Sequence, residues 1–135
     1  MSATSSGRNR RRNLRADVAL PVAWRDARED ETRLTSTVDL SASGMAIRSP
    51  VRVGRGLTLY VVVGHETLGI RFEAVARVER SRAAGGEFVL SLSFVSLSPA
   101  TAAAIGRHVV RALAEARRGA PAPAAKPRAR PGAAG

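Results

Sequence analysis

Asp39-Leu40-Ser41-Ala42-Ser43-Gly44 lies between two strand-like runs, Thr32 to Val38 and Met45 to Arg48. Aspartate and serine side chains bond back to neighbouring backbone groups and hold tight turns. Gly44 is expected to supply positive φ, which a side chain would strain. The stretch is therefore a tight connection between two strands. It presents a carboxylate and a hydroxyl beside bare backbone, a surface suited to a ligand edge rich in N–H donors.

The pattern continues outward in both directions. Upstream, Val18, Leu20, Val22 and Trp24 alternate with Ala19, Pro21, Ala23 and Arg25, a first strand with one buried face. Pro21 cannot donate to a ladder, so it belongs at an edge or a strand start. Arg25 to Glu31 reads as a solvated hairpin tip. Downstream, Ser49-Pro50 breaks the third run, and Gly54 and Gly56 punctuate a turn. Leu57 to Val63 is a β-branched fourth strand, followed by a turn at Gly64 to Thr67. Ile70, Phe72, Ala74, Ala76 and Val78 alternate with Arg71, Glu73, Val75, Arg77 and Glu79 as a fifth strand. Ala83-Ala84-Gly85-Gly86 is a hairpin turn, and Phe88, Leu90, Leu92 and Phe94 mark a sixth strand. Six short strands joined by turn signals argue a mainly β chain folded as an antiparallel barrel. Ser98-Pro99 then opens a C-terminal helix, with serine as N-cap and proline at its first position. Ile105, Val109 and Leu113 share one helical face, with Ala102 and Val110 beside them.

At 135 residues the chain has the size of one domain, and 44% hydrophobic residues are enough for one modest core. Aromatics are scarce, so aliphatic side chains must fill it. No cysteine is present, which excludes disulfides and thiolate metal sites and fits a reducing compartment. The net charge of +11 sits at the ends. Arg8, Arg10, Arg11, Arg12 and Arg15 precede every acid, and Arg117, Arg118, Lys126, Arg128 and Arg130 follow the last one. The part between is nearly neutral. Residues 1–7 are expected to be disordered, 8–118 to form the domain with its arginine arm, and 119–135 to be a disordered Ala/Pro/Arg-rich tail. The arm is no twin-arginine export signal, because the apolar run after it is short and holds Asp17 and Pro21. No segment has transmembrane length, so no membrane insertion is expected.

Two motifs stand in order along this pattern, Arg11-Arg12-Asn13-Leu14-Arg15 and Asp39-Leu40-Ser41-Ala42-Ser43-Gly44. They match RxxxR near the start and [D/N]xSxxG after the second strand. With the strands that follow, the chain from about Arg8 to Arg117 resembles the PilZ domain, the bacterial receptor module for cyclic di-GMP. The resemblance implies a six-stranded antiparallel barrel with a C-terminal α-helix, a cytoplasmic location and a non-enzymatic role. It implies ligand-binding roles for Arg11, Arg15, Asp39, Ser41 and Gly44. Arg10, the residue just before RxxxR, adds a guanidinium that can stack on guanine, and PilZ sites take one ligand or an intercalated pair. The chemistry agrees: arginine forks fit phosphate and the guanine O6/N7 edge, and a carboxylate accepts from guanine N1–H and its exocyclic amine. At Ser91-Leu92-Ser93-Phe94 the chain departs from the family, which often carries a glycine before the last aromatic. A serine there narrows the surface beside the ligand.

Two other roles stand beside this one. The chain could be a PilZ-like adaptor that contacts a protein partner without nucleotide, since turn chemistry alone accounts for Asp39 and Ser41. It could bind nucleic acid through its arginine-rich ends, but a near-neutral centre weighs against that. His65 and His108 have no companion ligands, so no metal or cofactor is expected. No nucleophile–histidine–acid grouping and no phosphate-cradling glycine loop argues for catalysis.

Overall fold

A computed structural model describes residues 14–119. The segments expected to be disordered, 1–7 and 119–135, lie outside these residues apart from Gly119. The arm residues Arg8 to Arg12 also lie outside them.

Alternating apolar residues build the strands, as their period of two requires. In chain order they are β1 (Arg15–Ala16), β2 (Pro21–Asp26), β3 (Arg33–Ser41), β4 (Gly44–Ser49), β5 (Thr58–His65), β6 (Ile70–Ala84) and β7 (Glu87–Ser96). The helix α1 follows at Pro99–Gly119. Neighbouring strands pair antiparallel in the order β3-β2-β5-β6-β7-β4, and β4 pairs back onto β3. The result is a closed six-stranded barrel. The two-residue β1 adds to the far end of β3, with Arg15 opposite Ser41 and Ala16 opposite Leu40. Closure leaves the barrel strands without free edges.

Leu40, Ile47, Leu59, Val63, Ala76, Val78 and Leu90 are fully buried inside. The core is aliphatic, with Trp24 and Phe72 as its buried aromatics. Helix α1 packs against β1, β3 and β6 and sends Ile105 and Val109 into the same core. Burying each such side chain stabilises by about 1.5–3 kcal/mol, which is what docks the helix. Ser98 caps it, its Oγ accepting from the Thr101 N–H at 3.1 Å. Val110, expected on the docked face, instead points away and is 55% exposed.

Several strands outrun their sequence signals. β2 continues through Asp26, whose carboxylate takes bonds from the Arg28 backbone and guanidinium. Pairing with β4 and β1 carries β3 on to Ser41 rather than ending it at Val38. β6 reaches Ala84, and only Gly85 and Gly86, both at positive φ, make the turn. Three register shifts interrupt the ladders, one of them at Val75/Ala76 in the β6–β7 pairing, and the other two re-aim side chains on the outer face. Of these two, one lies in β3 between Thr37 and Asp39, the other in β6 between Val78 and Arg80.

Candidate functional site

The β3 bulge decides where the Asp39 carboxylate goes. Thr37 is opposite Ile47, a core residue, so it faces inward. Strict alternation would aim Asp39 inward as well. The extra residue at Val38 shifts the register so that Asp39 lies opposite Ala46 on the outer face, and Leu40 returns to the core opposite Met45. A bulge that re-aims one side chain is a recurrent device beside binding sites.

Asp39 has two partners. Its Oδ1 accepts the Ala46 N–H at 3.1 Å, which fixes the carboxylate plane. Its Oδ2 lies 3.5 Å from Nη1 of Arg15. The side chain of Arg15 is 59% exposed and that of Asp39 17%, so the pair sits at the surface.

Ser41 behaves differently. It is buried, and its Oγ accepts from the N–H groups of Ser43 and Gly44 at 3.2 and 3.3 Å. It also pairs with the Ser43 hydroxyl at 3.0 Å. The connection is therefore a two-residue turn, Ala42-Ser43, clamped from beneath by Ser41. The Phe94 N–H donates to the Ser43 carbonyl at 2.9 Å and ties the turn to β7. Ser43 is exposed at the tip, a hydroxyl the motif spacing alone did not single out.

Gly44 corrects the expectation of positive φ, because it is not among the glycines with that conformation. Close approach requires it instead. A Cβ at Gly44 would fall inside the van der Waals shell of the Leu92 carbonyl oxygen on β7. Gly44 is opposite Ser93, whose Oγ donates to Glu79 at 2.5 Å. Of the residues expected to bind ligand, Arg15, Asp39, Ser41 and Gly44 thus gather at one end of the barrel. Arg10 and Arg11 lie outside the described residues. Among the described residues no group of three or more His, Asp or Glu side chains could hold a metal ion. No described helix is long and apolar enough to cross a membrane.

The model of the PilZ domain matches residues 9–111. The chain belongs to the PilZ domain family. That family consists of ligand-binding receptor modules, and its fold is the one seen here: a closed antiparallel barrel with a C-terminal helix. Solved PilZ structures are similar at low identity. The inhibitor of motility MotI/DgrA of Bacillus subtilis is 19% identical with a TM-score of 0.69, over 78% of this chain and 52% of that one. This chain therefore spans about half the length of that protein. The PilZ domain of Escherichia coli YcgR with c-di-GMP is 21% identical with a TM-score of 0.64, over 84% of this chain and 98% of that one. The K. pneumonia MrkH–c-di-GMP complex is 12% identical with a TM-score of 0.66, over 80% of this chain and 54% of that one. These likenesses establish the fold. No curated protein matches the chain.

Proposed function

We propose that this PilZ chain is a cytoplasmic receptor for cyclic di-GMP that changes its contacts with a protein partner when the arginine arm folds over the ligand. The observation that carries the reading is the 3.5 Å approach of Arg15 to Asp39, which joins the two family motifs at one surface point. Arg15 and Arg11 would hold phosphate and the guanine O6/N7 edge with their forks. Asp39 would accept from guanine N1–H and its amine with Oδ2. The ligand then replaces Arg15 as the partner of that oxygen, and the arginine turns to the phosphate. Ser41 and Gly44 shape the turn rather than touch the ligand. Two of the similar structures, from YcgR and MrkH, hold c-di-GMP, which supports the same ligand class.

An adaptor without nucleotide is the second reading. It is favoured by the turn itself, because the Ser41 hydroxyl and Asp39 Oδ1 already have backbone N–H partners within the protein. Isothermal titration with micromolar cyclic di-GMP separates the two. Saturable heat supports the receptor, and a flat trace with the folded full chain leaves the adaptor.

A further inference from the structure

The outer face of β4, β7 and β6 carries charged residues that the two motifs do not use. Residues directly opposite in an antiparallel pair share a face, with Cβ atoms about 4.5–5.5 Å apart. Asp39 is opposite Ala46, Ala46 is opposite Ser91, and Ser91 is opposite Arg80. The row therefore runs from Asp39 to Arg80 over three strand spacings, roughly 14 Å. Only two small side chains lie between its ends. The adjoining rows are Gly44, Ser93 and Arg77 on one side and Arg48, Val89 and Arg82 on the other.

Arg80 owes its place to a bulge, as Asp39 does. Val78 is in the core, so strict alternation would turn Arg80 inward. The extra residue at Glu79 aims Arg80 outward opposite Ser91. Two independent bulges thus put a carboxylate and a guanidinium on the same outer row. Among the described residues, none of Arg48, Arg77, Arg80 and Arg82 is in an ion pair. Glu79 accepts from Ser93. Like charges gathered on one face repel one another, and an anionic ligand on that face would relieve it.

We propose that Arg80 is the far anchor of the nucleotide site and a determinant of its specificity. A cyclic purine dinucleotide lies across Ala46 and Ser91. Its near guanine meets Asp39 and Arg15, and the Arg80 fork takes O6 and N7 of the distal guanine. Arg48 and Arg82 supply positive potential behind it. The proposal rests on cyclic di-GMP being the ligand.

The test is calorimetric titration of the full chain with cyclic di-GMP and cyclic di-AMP, whose adenines lack O6. Arg80→Ala is expected to weaken cyclic di-GMP by about tenfold or more and to narrow its preference over cyclic di-AMP. Arg80→Lys keeps the charge without the fork and should remain weak. Ser91→Leu raises the floor without changing charge and should also weaken binding. Arg107→Ala, on the exposed side of α1, should leave affinity unchanged. If Arg80→Ala binds as the unmodified chain does, this inference falls and the receptor reading stands. Equal losses in Arg80→Ala and Arg107→Ala would mean a general charge effect and would overturn it too. No binding by the unmodified chain overturns both.

Discussion

Arg15 and Asp39 meet where the two-residue β1 joins the end of β3, with Nη1 of the arginine 3.5 Å from Oδ2 of the aspartate. An ion pair this exposed contributes about 0–1 kcal/mol to stability. The contact is therefore weak enough to be exchanged for a ligand without loosening the fold.

That weakness separates binding from folding. Arg15→Ala should lower cyclic di-GMP affinity by at least about tenfold, because charge-assisted hydrogen bonds are worth roughly 1.5–3 kcal/mol each. Its denaturant midpoint should shift by less than about 1 kcal/mol equivalent. Asp39→Ala should bind as poorly and lose somewhat more stability, since the Ala46 N–H loses its acceptor. Titration and urea unfolding of both variants give the comparison. Full affinity in either variant would remove that residue from the site.

Gly44 and Ser41 should show the opposite profile. Gly44→Ala forces β4 away from the Leu92 carbonyl, and overpacking of this kind costs about 1–3 kcal/mol. Ser41→Ala leaves the Ser43 and Gly44 N–H groups without their acceptor, at about 1–3 kcal/mol. Both are expected to unfold at lower denaturant. A stable Gly44→Ala would contradict the close approach.

The barrel was legible because its strands alternate cleanly, as in Ile70 to Val78, and because Ser98-Pro99 announces the helix. The bulges were not. A period of two carries no mark of an inserted residue, so the sequence pattern could not say which face Asp39 or Arg80 occupies. The conformation of Gly44 and the orientation of Val110 were not legible either, for a related reason. Each depends on what stands opposite in space: the Leu92 carbonyl for one, open surface for the other. Local propensity holds neither fact.

The arm should respond to ligand. The backbone amides of residues 8–15 are expected to gain protection when cyclic di-GMP is added, because binding there orders whatever it touches. Hydrogen exchange followed by mass spectrometry reads this directly. Equal protection with and without ligand would rule out a switch by the arm.

Stoichiometry turns on Arg10. An intercalated ligand pair carries twice the phosphate of a single ligand and exposes further guanine faces, on which a third guanidinium can stack. Titration should saturate near a ratio of two for the unmodified chain. Arg10→Leu should bring the ratio toward one while binding persists. A ratio of one in both would refute the pairing role.

Acid should destabilise the fold in two limbs of the same sign. Hydrogen bonds from the Arg28 side chain and backbone hold the Asp26 carboxyl below its ordinary value. The stability this gives is present above the unfolded pKa, about 3.9, and is lost as pH falls through the lower folded value. Burial, helped by Arg111, lowers His108, so the fold favours its neutral ring and loses stability as pH drops below about 6.5. Asp26→Asn should be less stable at pH 7 by about 1 kcal/mol and flatten the lower limb. His108→Gln should flatten the upper one. Melting temperatures between about pH 2 and 8 distinguish the limbs.

The clamp of Ser41 beneath the turn and the fit of Gly44 against Leu92 bear on how such receptors are found by motif matching. Two of the three fixed DxSxxG letters here answer to the barrel and would be retained by selection for folding alone. A descendant that had given up its messenger could keep Ser41 and Gly44 indefinitely. The informative letters are those whose loss the fold would tolerate, Arg15 and Asp39 first, so a census of true receptors should be weighted toward them.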